Sequence, residues 1–204
     1  MLPIRAGGGL VNTGPLDIGD LAPNAELVDG SGRSVMLSAA WADRPTAIVF
    51  IRYFGCPFCQ AQVVALREDR ELFERIGADV TLVGQGTAQE CAKFCDGRRV
   101  PFRVLVDPAR DAYRAYGLSK GGAMQVVGPQ VMLPWIRNEL RAETRQRGLR
   151  GGSFTQMPGT FVVDVAGIVR FAHRSRHVAD VPRNNVILGA LAELTSERDP
   201  TTAG

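Results

Sequence analysis

Two thiols stand where an apolar run hands over to a helical pattern: Cys56 and Cys59, in Gly55-Cys56-Pro57-Phe58-Cys59. The run before them, Ile48-Val-Phe-Ile, has the β-branched and aromatic content of a strand, and Pro57 fits the first position of the helix that follows, where its missing N–H is no loss. Free backbone N–H groups and the positive end of a helix dipole favour a thiolate over a thiol. Cys56 is therefore expected to have a lowered pKa and to act as the nucleophile. Cys59, one turn on, is placed to resolve a mixed disulfide or a sulfenic acid. The chemistry this implies is thiol redox, with a reversible Cys56–Cys59 disulfide as the redox centre and no separate cofactor or metal. Arg52, upstream of Cys56, either adds positive potential to the sulfur or points from a strand into solvent.

Other readings of the same residues compete. A Cys-x-x-Cys pair can be half of a zinc site, and His173 and His177 have the spacing of the other half, but the patterned chain of residues 60–172 lies between them. Cys91 and Cys95 fall on one side of a predicted helix, where positions four apart do not readily meet disulfide geometry. Cys95 reads as a buried, inert cysteine and Cys91 as an auxiliary thiol. Met157-Pro158-Gly159-Thr160 precedes a strand. A proline facing thiols in a redox fold is often cis, since the X-Pro bond makes that isomer cheap, so a cis bond before Pro158 is expected, with an ordinary turn as the alternative. Gly55, Pro57, Pro158 and Thr160 join Arg52 as the residues expected to activate the thiolate or shape the substrate groove.

The elements that must position these groups alternate. Residues 1–20 are rich in Gly, with Pro3, Pro15 and Asn12, and read as a loose arm. Ala25–Val28 and Ser34–Leu37 form a predicted hairpin around Asp29-Gly30-Ser31-Gly32, followed by a short helical turn at Ser38–Ala42 with Trp41 inward. One helix is expected from Pro57 to a stop at Gly77, then a strand at Val80–Val83. Thr87-Ala-Gln-Glu90 has the spacing of a capping box for a helix ending at Gly97. A strand at Phe102–Val106, a helix at Ala109–Tyr116, a hairpin of Thr160–Asp164 with Ile168–Ala172, and a closing helix at Asn185–Leu194 complete the pattern. The stretch 118–152 is an insertion. Within it Met132, Ile136 and Leu140 mark an amphipathic helix over Val131–Arg147, and Arg137, Arg141 and Arg145 a second stripe. That helix either covers core or serves as a lid or docking surface, and the latter leaves open a non-catalytic binding module. Residues 196–204 are expected to be a disordered tail. The order of elements predicts an α/β layered fold with a central mixed sheet, as one domain over residues 21–195.

Composition narrows the partners. The 204 residues carry a net charge of +3, and all but Lys93 and Lys120 of the 24 basic residues are arginine, scattered rather than gathered on one stretch, so a nucleic-acid partner is not expected. No run approaches the roughly 18–20 apolar residues of a membrane span, and the first residues lack a secretory segment. The expected location is the cytosol, where a close Cys pair is catalytic or metal-binding more often than structural.

Taken together, Phe50-Ile-Arg-Tyr-Phe-Gly-Cys-Pro-Phe-Cys59-Gln, Ala78–Gln85, Pro101–Pro108, Tyr113-Arg-Ala-Tyr-Gly117, Gly159–Asp164 and Phe171-Ala-His173-Arg174 resemble the peroxiredoxin-like branch of the alkyl hydroperoxide reductase and thiol-specific antioxidant (AhpC/TSA) family, in particular its peroxiredoxin-like 2 group. The likeness runs from about Gly19 to Leu194. It implies a thioredoxin fold, a peroxide or disulfide substrate, an antioxidant role, and a thioredoxin-like or low-molecular-weight thiol as reductant. Typical members carry a proline and a threonine where this chain has Val49 and Tyr53, and an arginine where it has Pro158. Two usual donors to a developing peroxide charge are thereby replaced. The resemblance thus leaves peroxidase chemistry, disulfide exchange and reduction of a bulkier peroxide or endoperoxide open.

Overall fold

The computed structural model describes residues 16–129, 131 and 152–196. Among them, seven strands form one mixed sheet in the order β2-β1-β5-β4-β3-β6-β7. They are β1 (Glu26–Asp29), β2 (Ser34–Met36), β3 (Thr46–Phe50), β4 (Asp79–Gly84), β5 (Arg103–Val106), β6 (Gly159–Val163) and β7 (Val169–Arg174). β3, β4 and β5 run parallel, while β1, β6 and the two edge strands pair antiparallel. The helices are α1 (Pro57–Glu68), α2 (Arg70–Arg75), α3 (Ala88–Arg98), α4 (Asp111–Ala115), α5 (Ala123–Val127) and α6 (Asn184–Ser196). This is the expected layered α/β architecture, and the N-terminal hairpin is present in the register Leu27 opposite Val35.

The period of two in β3 decides what lies on each face. Ala47 and Val49, with Ile51 just beyond, pack beneath α1, α3 and α6 among Cys59, Val63, Leu66, Phe94, Ile187 and Leu191. Ile48 and Phe50 turn to the other side, with Trp41, Tyr113, Tyr116 and Phe161. A strand buried at all five positions needs cover on both faces, and both clusters supply it. Trp41 is buried, as expected.

Several boundaries differ from the sequence expectation. The helix expected from Pro57 to Gly77 divides at Asp69, whose carboxylate accepts from Asn184 Nδ2 at 2.8 Å at the start of α6. Gly77 does end the second piece, with φ +67. The Thr87–Glu90 capping box is formed, but α3 runs through Gly97 and stops at Arg99, a non-glycine residue at φ +49. A glycine inside a helix costs only about 1 kcal/mol, so Gly97 need not end it. The Asp107 carboxylate accepts from the N–H groups of Asp111, Ala112 and Tyr113, and so starts α4. Residues 16–20, counted with the arm, are tied to β7 through Gly19 N to Val169 O at 2.8 Å and Val169 N to Asp20 O at 2.9 Å. The expected amphipathic helix over Val131–Arg147 lies, except for Val131, outside the described residues, as do residues 1–15 and 197–204.

Candidate active site

β3 delivers Phe50 at the carboxyl end of the central strand, and the chain then turns through Tyr53-Phe54-Gly55, closed by Cys56 N to Tyr53 O at 3.1 Å. Gly55 keeps a negative φ, so its backbone freedom is not what the turn uses. Cys56 is the N-cap of α1, with extended backbone, and Pro57 occupies the first turn. The sulfur thus takes the position of an N-cap oxygen, facing the N–H groups of Phe58 and Cys59 without closing the full hydrogen bond that a Ser or Asp would make there. Both thiols are free and buried, Cys56 at 0 % and Cys59 at 1 % exposure.

Arg52 points inward, at 4 % exposure, which settles the choice between sulfur and solvent. Its Nη1 lies 3.6 Å from Cys56 Sγ, its Nε donates to Gln156 O at 3.1 Å, its Nη2 donates to Phe154 O, and its backbone N–H donates to Cys59 Sγ at 3.3 Å. One residue therefore contacts both sulfurs. Burial pushes the Cys56 thiol up. The Cys59 hydrogen bond, the Arg52 charge and the Cys59 and Phe58 N–H groups outweigh it and bring the pKa to about 6. Burial, and the hydrogen bond and charge shared with Cys56, push Cys59 well above the ordinary thiol range. The pair is thus polarised, one sulfur an anion near neutral pH and the other its proton donor. Burial and the Cys56 charge also raise the Tyr53 hydroxyl to about 12, keeping it protonated.

The site is covered by the segment Gly152–Met157. Phe154 packs edge-on against Tyr53, ring centroids 4.9 Å apart. Gln85, just past the carboxyl end of β4 and 3 % exposed, donates through Nε2 to Arg52 O and accepts at Oε1 from Ser153 N at 3.0 Å. Beneath the turn, Gln60 Nε2 donates to Phe54 O at 2.8 Å, and its Oε1 accepts from Arg98 Nη2 of α3 at 2.6 Å. Gln85, Gln156 and Phe154 were not singled out from the sequence. For Gln85 a signal existed, because it stands at the carboxyl end of a parallel strand beside the one that ends at the thiols, where α/β sheets gather their functional groups.

Pro158 does not carry the expected cis bond; among the described residues every peptide is trans. The trans form is the default, and here it carries the chain straight into β6, with Pro158 O accepting from Ser175 N at 3.2 Å beside the Gly159–Arg174 pair. Thr160 is buried, paired with Val49 on β3 and His173 on β7. Val49 is itself fully buried core.

The second cysteine pair reverses the expected roles: Cys91 is fully buried, its Sγ 3.9 Å from Val104 O, while Cys95 is the partly exposed member. α3 packs on the sheet through Cys91 and Phe94, four and three residues being helical neighbours, and that stripe leaves Cys95 at its margin. Their mutual hydrogen bond raises Cys91 and lowers Cys95. His173 Nε2 lies 3.1 Å from Asp180 O and 3.6 Å from its carboxylate. Among the described residues no three His, Cys, Asp or Glu side chains converge as metal ligands, so the two halves of the arithmetical zinc motif are not brought together.

Comparison with known proteins follows the same line. Residues 18–172 match the model of the AhpC/TSA family. Peroxiredoxin-like 2C of Mus musculus is 30% identical over 173 residues, covering 79% of this chain and 75% of that protein. Among solved structures, the peroxidoxin BcpB of Mycobacterium tuberculosis superposes with a TM-score of 0.65 at 21% identity, over 88% of this chain and 98% of the other. A peroxiredoxin-like protein of Aquifex aeolicus gives 0.62 at 18%, over 89% of each. The fold is that of the thioredoxin-like peroxiredoxins, and the chain belongs to the AhpC/TSA family.

Proposed function

We propose that this protein is a thiol-dependent oxidoreductase in which Cys56 is the nucleophile and Cys59 the resolving thiol, reducing a hydroperoxide or a disulfide in a reducing, cytosolic setting. The observation that carries the reading is the Cys56 sulfur at the start of α1 with the Arg52 guanidinium 3.6 Å away. The Cys56 thiolate attacks the distal oxygen of a hydroperoxide, the O–O bond breaks, and the alkoxide leaves as an alcohol after taking a proton, with Cys56 oxidised to the sulfenic acid. Cys59, as the thiolate left once its proton has gone to the alkoxide, attacks that sulfur, and the displaced hydroxide takes a proton from solvent and leaves as water, closing a Cys56–Cys59 disulfide. With a disulfide substrate the first product is instead a mixed disulfide, and Cys59 expels the second thiol. A thioredoxin-like protein or two molecules of a low-molecular-weight thiol restore both thiols, being oxidised to a disulfide. Arg52 holds the thiolate. Pro57 starts the helix under the sulfur, and Gly55, Pro158 and Thr160 shape its surroundings. No added cofactor enters this scheme.

The test is thiol titration with mass mapping after one equivalent of hydrogen peroxide, tert-butyl hydroperoxide or oxidised glutathione. Two thiols should be lost together as a Cys56–Cys59 bond, and Cys59→Ser should stop at a dimedone-trappable sulfenic acid with peroxide. An inert Cys56, or oxidation that never joins it to Cys59, overturns the reading. Continuous peroxide consumption with a thioredoxin system identifies a peroxidase; disulfide reduction without it identifies an exchanger.

A further inference from the structure

The thiols and Arg52 are buried, and the Gly152–Met157 strap lies against them through its contacts with Arg52 and Tyr53. The strap is held unequally on its two sides. On one side it is bonded to residues 118–121: Gly121 N to Thr155 O at 2.7 Å, Met157 N to Ser119 O at 3.1 Å, and Gln156 Nε2 to Leu118 O at 2.8 Å and Ser119 O at 3.2 Å. On the other side, it meets the rest of the site through Arg52, through the Tyr53–Phe154 ring contact, and through Gln85. For a strap that moved, the first side would be the hinge and the second the latch.

Gln85 is the part of the latch that contacts neither sulfur nor substrate. Its carboxamide satisfies a donor on the strap, Ser153 N–H, and an acceptor on the thiol loop, Arg52 C=O. A single planar group with one donor end and one acceptor end thereby joins the thiol loop at Arg52 to the strap at Ser153. The strap in turn supplies both carbonyls that occupy Nε and Nη2 of Arg52, which leaves Nη1 turned to Cys56. Gly152 fits the same contact from the other direction: its φ is +112, and a Cβ there would stand 3.0 Å from Cβ of both Gln85 and Tyr53.

We propose, building on the reading of Cys56 as nucleophile, that Gln85 is a positioning residue that latches the Gly152–Met157 strap over the thiols and, through the strap carbonyls, fixes the Arg52 guanidinium on Cys56. Opening at the latch side admits the substrate, and closing restores the charge on the sulfur and excludes water from the reacting pair. Phe154, 56 % exposed at the rim against Tyr53, is the side chain that swings with it.

The experiment is the iodoacetamide alkylation rate of Cys56 across pH, read by mass mapping, in the wild type, Gln85→Met, Gly152→Ala and Val83→Ala. Gln85→Met keeps the volume and removes both hydrogen bonds. Gly152→Ala reaches the strap by another route, and Val83→Ala loosens the buried end of the same strand without touching it. The titratable groups acting on Cys56 among the described residues are Arg52, Cys59 and Tyr53, none of them altered. In Gln85→Met the limiting rate at high pH should rise about tenfold or more, as two lost hydrogen bonds of ordinary strength would produce; in Gly152→Ala it should rise in the same direction, and in both the midpoint should move upward as Arg52 leaves the sulfur. Latch variants that retain the wild-type rate and midpoint overturn the proposal, as does Val83→Ala shifting the midpoint as far as they do. A wild-type Cys56 that titrates as an ordinary thiol overturns the nucleophile reading instead, so the two failures are told apart.

Discussion

A thiol taken out of water loses acidity, and Cys56 is fully buried, yet the groups around it reverse the effect. That reversal carries a stability consequence. The folded-state pKa of about 6 lies below the ordinary 9.0, so between those values the unfolded chain binds the proton that the folded chain has released. Stability contributed by Cys56 is therefore present above pH 9 and lost as pH falls through about 6. Measured by urea denaturation, the wild type should gain on Cys56→Ser as pH rises from 6 to 9; a flat difference would mean that the sulfur is a neutral thiol in the fold. The Cys59 hydrogen bond leads this lowering and Arg52 adds to it, because a buried cation has little solvent to screen it and two of its nitrogens are held by fixed carbonyls.

Individual elements aim these residues. β3 ends beside β4, and both carboxyl ends converge on the site, one bringing the thiol loop and the other Gln85. α4 braces that rim from below: the Tyr113 hydroxyl lies 2.5 Å from Ile51 O and 2.9 Å from Val83 O, its single proton shared between the two carbonyls, directly beneath the turn that carries Arg52. Tyr113→Phe leaves the ring in place and strips buried carbonyls of a donor, which should cost about 1–3 kcal/mol in chemical denaturation. An unchanged midpoint would show that the hydroxyl is not an anchor. α1 needs no side-chain cap of the usual kind, since Pro57 removes one orphan N–H and the sulfur faces others.

For the whole molecule, the sheet is closed on the site side by α6, which contributes Ile187 and Leu191, both fully buried, against the β3 and β6 layer. The Asn184–Asp69 hydrogen bond at its start joins it to the junction of α1 and α2. Leu191→Ala should destabilise the protein by about 2–5 kcal/mol in urea denaturation, as truncation of a packed leucine does elsewhere; a loss under about 1 kcal/mol would place α6 outside the cooperative unit. Among the described residues no helix is long and apolar enough to cross a membrane, and Cys56, Cys59 and Arg52 lie just past the carboxyl end of β3.

Local chemistry was legible in the chain alone. The strand-to-helix junction at Cys56, the Pro57 start, the Thr87 capping box and the two hairpins all depend on residues within a few positions of one another, where spacing dictates geometry. The same locality misplaced the end of α3, because Gly97 is a plausible stop only if packing does not carry the helix on. It also exchanged Cys91 and Cys95, whose burial is set by which stripe of α3 meets the sheet. Arg52 was undecided in the sequence because its direction depends on carbonyls about a hundred residues away, at Phe154 and Gln156. Pro158 is trans for a related reason: its role is to enter a ladder with β3 and β7, and that register is a property of the assembled sheet. The sequence by itself placed two thiols three residues apart at the start of a helix. Tertiary structure alone decided that Arg52 turns inward, its guanidinium toward Cys56 and its backbone N–H toward Cys59, because the carbonyls that hold the guanidinium there lie about a hundred residues along the chain, beyond the reach of any local pattern.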